Sequence, residues 1–262
     1  MSKEVPLNQG QDQAAPRSSP PAGGRPVRRA LAWAAASIRN RGCMTTLQVA
    51  FSAATDVFFD WRYGTDTFQI VNIAELHSSS SNVSHAVRYQ ATKARPLRKL
   101  LRRLQLPRDA VFLDYGSGKG RALLLAACEG FKRVVGVDFS PRLCAVARLN
   151  VEIFRRKVRG LAPIEIVEGD AITHPLRHDE NVFFFYNPFD EVVLARVVER
   201  ICESVAAHPR TVWLIYCTPR HAEVIERSSL FIRREAFSFG GTEFRVYSNP
   251  NGAGPKPAGS TP

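Results

Sequence analysis

Asp114-Tyr115-Gly116-Ser117-Gly118-Lys119-Gly120 stands between a short apolar run, residues 110–114, and the helix pattern of residues 121–128. An apolar run that meets three alternate glycines and passes at once into a helix is a strand-to-helix junction. Glycine lets the backbone turn sharply and approach a ligand closely. A helix beginning near Lys119 presents unpaired amides and the positive end of its dipole to whatever lies before it. Two glycine patterns of nucleotide-binding proteins do not fit. The phosphate loop G-x-x-x-x-G-K-S/T needs a glycine where Leu113 stands. The dinucleotide fingerprint G-x-G-x-x-G needs its third glycine where Arg121 stands. The pattern that remains is D-x-G-x-G-x-G.

Outward from this loop, strand and helix patterns alternate. Residues 133–138 form a second strand. Ser140 then caps a helix with Pro141 at its first position, and that helix runs to about Lys157. Residues 164–167, 182–186 and 211–217 are further strands, with a helix at 191–206. Strands and helices at this spacing predict a parallel sheet covered on both faces. After Pro219 comes a shorter helix. Two strand-like runs, 231–239 and 242–248, then join across Gly240-Gly241 as a hairpin.

Upstream, leucines at 97, 100, 101 and 104 mark a helix face that Pro107 ends. Residues 44–77 hold Phe51, Phe58, Phe59, Trp61, Tyr63 and Phe68, the ring content of a packed helical cap. A short helix at 28–38 and a turn at the serine run 78–81 complete this region. Residues 1–26, rich in proline, glycine and serine, predict a disordered basic tail. The expected division is a tail at 1–26, a helical cap at 27–106, a ligand-binding catalytic domain at 107–248 and a loose tail at 249–262.

A chain of 262 residues suits one sizeable α/β domain. The 36 Lys and Arg against 24 Asp and Glu give +12, which favours an anionic partner. Two of the basic clusters, Arg95 to Arg103 and Arg155 to Arg159, fall on helices and read as solvated faces. Cys43, Cys128, Cys144, Cys202 and Cys217 are odd in number and widely spaced. They form no disulfide framework, which fits a reducing, cytoplasmic setting. No apolar run approaches transmembrane length.

Asp138 closes the strand Val134-Val135-Gly136-Val137-Asp138, and Glu168-Gly169-Asp170-Ala171 follows the third strand. With residues 111–121, these strand ends resemble the class I, Rossmann-like S-adenosylmethionine-dependent methyltransferases. The resemblance covers about residues 108–248. It implies a seven-stranded α/β sheet of order 3-2-1-4-5-7-6, with strand 7 antiparallel, and S-adenosyl-L-methionine as cofactor. It also implies that Asp114, Gly116, Ser117, Gly118 and Gly120 wrap the methionine and ribose part. Asp138 would hold the ribose hydroxyls from a strand end outside the packed core, and Phe139 would line the adenine. Asp170 would accept from the adenine amine, while the Ala171 amide bonds a ring nitrogen. Upstream, Asp60-Trp61-Arg62-Tyr63-Gly64-Thr65-Asp66-Thr67 is similar to a segment that precedes the core in some small bacterial members and closes over the cofactor there. Plain core packing of Trp61 and Tyr63 stays open beside that reading.

The fourth strand runs into Asn187-Pro188-Phe189, beyond a strand's carboxyl end. This looks like a shortened form of the Asn/Asp-Pro-Pro-Tyr/Phe motif by which amino-group methyltransferases hold a planar nitrogen, and a structural turn is the alternative. Asn187, Pro188, Phe189 and Tyr63 are the candidate catalytic residues, with Asn187 also beside the cofactor. Tyr89 and Tyr216 are further candidates for the acceptor site. His174 and His178 read as a surface loop. Methyl transfer needs no metal ion, and no His/Cys/Asp grouping shows ligand spacing. The expected acceptor is an amine on a protein, peptide or small molecule. Nucleic-acid methylation, small-molecule O-methylation and a non-catalytic cofactor-binding subunit are the competing functions.

Overall fold

The computed structural model describes residues 32, 35–39, 42–68 and 91–249. Expectations for the tail 1–26, the serine run 78–81, Tyr89, the Phe51 side chain and the C-terminal tail beyond Asn249 lie outside the described residues. Of the helix expected at 28–38, residues 32 and 35–38 are described and helical. The chain divides into two compact units, Met1–Val49 and Ala50–Pro262. The boundary falls within the first labelled helix, α1 (Cys43–Tyr63).

Seven strands form one sheet of order β3-β2-β1-β4-β5-β7-β6. They are β1 (Val111–Tyr115), β2 (Arg133–Asp138), β3 (Ile164–Glu168), β4 (Glu180–Phe185), β5 (Trp213–Cys217), β6 (Arg233–Phe239) and β7 (Thr242–Ser248). The first five run parallel, and β7 pairs antiparallel with both β5 and β6. This is the order and direction that the sequence reading expects. β1 lies between β2 and β4 and is buried along its whole length. A central parallel strand has helices over both faces, so its sequence is apolar almost throughout, and Asp114 is its one charged residue.

The helices are α2 (Ala94–Leu104), α3 (Arg121–Ala126), α4 (Pro141–Lys157), α5 (Glu191–Ala207) and α6 (Ala222–Glu226). One core gathers α2, α3 and α4 on one sheet face. Leu97, Leu100, Leu101 and Leu104 of α2 pack there beside Leu124 and Phe154. The other core packs Val193, Val197 and Ile201 of α5, with Ile225 of α6, against Leu113, Phe183 and Leu214. The exposed faces are those the charge pattern predicts. Arg98 and Arg102 pair with Glu129, and Lys99 lies over the Phe239 ring at 4.9 Å.

Boundaries moved where local chemistry differs from periodicity. The helix expected at 121–128 ends at Ala126, because the amide of Cys128 bonds back only three residues, to Leu125. β4 starts at Glu180 instead of Val182. The side-chain oxygen of Asn181 accepts from the Val111 amide at 2.9 Å, where the β1–β4 register shifts. That side-chain bond lets a polar dipeptide open a core strand.

Candidate active site

The site gathers at the carboxyl ends of β1, β2 and β4, where an open parallel sheet offers a crevice. The loop after β1 folds back on β2: the amides of Gly116 and Ser117 both donate to the Val137 carbonyl, at 2.8 and 3.2 Å. Gly116 has φ +74°, and a Cβ built on it would lie 2.5 Å from Cβ of Pro188. Only glycine lets the loop and the turn after β4 approach this closely.

Asp138 ties the loop to the next helix. Its Oδ2 accepts from the Gly118 amide at 2.8 Å and its Oδ1 from the Ser140 amide at 2.9 Å. The sequence reading places this carboxylate outside the packed core. It is instead buried, and it organises the loop itself. Burial pushes its carboxyl up to about 6, although the two amide bonds pull the other way. Burial holds the Asp114 carboxyl well above the usual carboxylate range, and the neighbouring Asp138 charge adds to that.

A single cleft is lined by Asp114, Gly116, Ser117, Asp138, Phe139, Ala171, Asn187, Pro188 and Phe189, all of them anticipated from sequence. Gly118 and Gly120 shape the loop: one bonds Asp138, and the other opens α3 with φ +85°. Asp170 lies between the cleft residues Gly169 and Ala171 and accepts from the Ile172 amide at 2.8 Å. Tyr63 is not brought to the cleft. Its ring packs on Phe59 and Phe154, with centroids 4.9 and 4.6 Å apart. Of the two aromatics left open between cap and core, Tyr63 is core-packed and Trp61 is 75% exposed.

Thr92, Arg121 and Tyr186 also line the cleft and were missed. Thr92 belongs to no motif. Arg121 carried a signal, a charged residue at the buried start of a helix, where the dinucleotide pattern wants glycine. His174 is another correction. It is buried, its ring 6.0 Å from that of Tyr115 and its Nε2 3.9 Å from Glu180, so it belongs to the interior and not to a surface loop. Among the described residues, Glu191, His221 and Glu223 bring potential ligand atoms within 4.8 Å of one another. Glu191 comes from a different segment than His221 and Glu223, so linear spacing could not show the group, and two of the three are exposed.

Asn187 has φ +44°, a left-handed conformation that asparagine tolerates better than most residues. Its Oδ1 accepts from the Tyr216 hydroxyl at 2.9 Å, across from β4 to the end of β5. That bond fixes the amide's orientation in the cleft wall and leaves the oxygen a second lone pair. Phe189 packs edge-on against Phe185 at 6.4 Å, so it is as much core as cleft.

The cleft suits a ligand bearing hydroxyls. Two buried carboxyls face it, and the buried Ser117 Oγ has no hydrogen-bond partner among the described residues. A buried polar atom without a partner is costly and marks a place where a ligand adds a bond. S-adenosylmethionine fits through its ribose hydroxyls.

Residues 113–207 match the family model described as a methyltransferase domain. Two curated relatives are each 32% identical. A histone-lysine N-methyltransferase, H3 lysine-79 specific, from Cryptococcus neoformans var. neoformans aligns over 81 residues, 29% of this chain and 13% of that protein. A ribosomal protein L11 methyltransferase from Ralstonia nicotianae aligns over 116 residues, 38% of each chain. The chain thus spans well under half the length of the curated relatives it matches. Among solved structures, a TehB-like SAM-dependent methyltransferase from Corynebacterium glutamicum aligns at 18% identity with a TM-score of 0.42. That match covers 59% of this chain and 88% of that one. The family match falls on the strands and loops that build the cleft, within a sheet of the order the family requires. Residues 113–207 thus carry a methyltransferase domain inside a seven-stranded sheet of order β3-β2-β1-β4-β5-β7-β6, and together these support a Rossmann-like S-adenosylmethionine-dependent methyltransferase.

Proposed function

We propose that this chain, through a catalytic domain at residues 107–248, transfers the cofactor's methyl group to an amine nitrogen of a protein, peptide or small molecule. The observation that carries this reading is Asn187: a side-chain carbonyl in the cleft wall, locked by Tyr216 at 2.9 Å. The two curated relatives are named for a histone lysine and for a ribosomal protein, which favours a protein amine. The five free cysteines agree with a cytoplasmic setting.

In this reading Asp138 and the loop amides hold the ribose, and Phe139 lines the adenine. Ala171 and Asp170 meet the adenine edge. Bound there, S-adenosylmethionine supplies an electrophilic methyl. The chain's own contribution is alignment and exclusion of water. Asn187 Oδ1 accepts a hydrogen bond from the incoming amine and turns its lone pair toward the cleft. The bond strengthens as the nitrogen gains positive charge, so it lowers the barrier more than it aids ground-state binding. Pro188 fixes the backbone that aims the amide.

The test is incubation with methyl-labelled cofactor and fractionated cell extract, followed by mass identification of the labelled atom, for the native chain and Asn187→Ala. We expect label on nitrogen in a fraction insensitive to RNase. Asn187→Ala should keep native affinity for S-adenosylhomocysteine and transfer roughly 10²–10³-fold more slowly, a loss of about 3–4 kcal/mol. Label on oxygen, RNase-sensitive label, or normal turnover by folded Asn187→Ala would contradict the assignment.

A further inference from the structure

Both cations at the loop-to-helix junction, Lys119 and Arg121, are committed to one upstream stretch, residues 56–68. Asp60 folds that stretch on itself. Its Oδ1 accepts from the hydroxyls of Thr65 at 2.7 Å and Thr67 at 2.6 Å, and its Oδ2 from the amides of Thr67 at 2.9 Å and Phe68 at 2.7 Å. One carboxylate thus pins four groups that lie five to eight residues ahead of it.

Arg121 then clasps this turn. Its Nε donates to Thr67 Oγ1 at 2.6 Å, and its Nη2 to Asp60 Oδ2 and to the Asp56 carbonyl, each at 3.2 Å. Its Nη1 stands 2.9 Å from Asp56 Oδ1, and the side chain is fully buried. The guanidinium also lies over the Phe59 ring at 5.2 Å. A second tie runs from Lys119 Nζ to both carboxylate oxygens of Asp66, at 3.0 Å. Asn150 of α4 closes the set. Its Oδ1 accepts from the Asp66 amide at 2.8 Å, while its Nδ2 donates to the carbonyls of Asp66 and Lys119 at 3.0 Å each.

A buried arginine is tolerated only where its partners are fixed, because an unpaired buried charge is severely destabilising. Fixing the partners therefore fixes the guanidinium, and with it the first residue after the glycine loop. We propose that Arg121 is a positioning residue for the cofactor. Through Thr67 and Asp60 it straps residues 56–68 to the glycine loop and holds the amides of residues 116–120 in binding geometry before the cofactor arrives. This rests on the reading that the cleft holds S-adenosylmethionine. It also accounts for an arginine at the place where the dinucleotide pattern has glycine: the loop is stiffened from outside by charge, not by close helix–strand contact.

The test uses the full chain with Thr67→Val, which keeps the side-chain shape and removes the hydroxyl between Arg121 and Asp60. Three quantities are measured: melting temperature, affinity for S-adenosylhomocysteine by calorimetry, and amide hydrogen exchange at residues 116–120 without ligand. We expect a folded variant with roughly tenfold weaker affinity and faster exchange confined to the loop, both restored by Thr67→Ser. A residue that only stabilises the fold would lower the melting temperature and leave loop exchange and affinity unchanged, and that result would overturn the proposal. If Thr67→Val does not fold, Asp60→Asn decides, since that carboxylate is the strap's other partner of Arg121 and is partly exposed. It should weaken affinity about threefold, and native affinity with native loop exchange would overturn the proposal. A native chain that binds no S-adenosylhomocysteine would contradict the cofactor reading instead, while loop exchange in Thr67→Val would still judge the strap.

Discussion

At the scale of single residues, Asp138 joins the glycine loop to the next helix and lines the cleft. Its folded carboxyl titrates near 6, above the ordinary 3.8, because burial disfavours its charge. The folded state therefore takes up a proton before the unfolded chain does as pH falls. The stability gained from that protonation is fully present below 3.8 and is lost as pH rises through about 6, a swing of about 3 kcal/mol for this group. Ligand hydroxyls need the charged form as acceptor, so binding has the opposite trend. We expect affinity for S-adenosylhomocysteine to fall about tenfold or more between pH 7 and pH 5, and titrations across that range test it. A flat profile would remove the Asp138 charge from ligand binding. The place of Asp138 in the cleft was legible, because it closes the second strand beside the glycine loop. Its two bonds to the Gly118 and Ser140 amides were not, since they depend on how the loop closes in space. Tyr216 was equally hidden as the partner of Asn187: the two are 29 residues apart and meet only because β4 and β5 are neighbours.

At the scale of elements, β2 and the glycine loop are fitted to each other through Gly136. A Cβ there would lie 2.4 Å from Leu123 Cδ1 and 2.9 Å from Ser117 Cβ, in the middle of a buried strand. Gly136→Ala should therefore overpack the junction by about 1–3 kcal/mol, lowering Tm by roughly 3–10 °C. It should also displace Ser117 and weaken cofactor binding. Melting curves and calorimetry read both effects, and a variant with native Tm and affinity would show that the junction yields freely. Most elements were legible because the periodicity changes sharply at caps such as Ser140-Pro141 and at the Gly240-Gly241 turn. The start of β4 was not, because Glu180 and Asn181 look like loop chemistry until the Asn181 side chain is seen to complete a ladder bond. The strap at residues 56–68 was legible only as a resemblance. Its cohesion comes from Asp60 and Arg121, which are 61 residues apart.

At the scale of the whole molecule, the sheet order and the cleft follow from a pattern that repeats along residues 111–248. The cleft is lined from four neighbouring strands: by Asp114 within β1, Asp138 at the end of β2, Ala171 beyond β3 and Asn187 beyond β4. The net charge of +12 is not concentrated in this cleft, whose own side chains include two buried acids. No described helix is long and apolar enough to cross a membrane. We expect this cleft to bind S-adenosylmethionine around Asp138. Calorimetric titration of S-adenosylmethionine into the full chain and into Asp138→Ala tests it most directly. We predict one site per chain in the native protein and a loss of at least tenfold in the variant, a difference of about 1.4 kcal/mol or more. Equal affinity in both folded proteins, or no binding to the native chain, would contradict it.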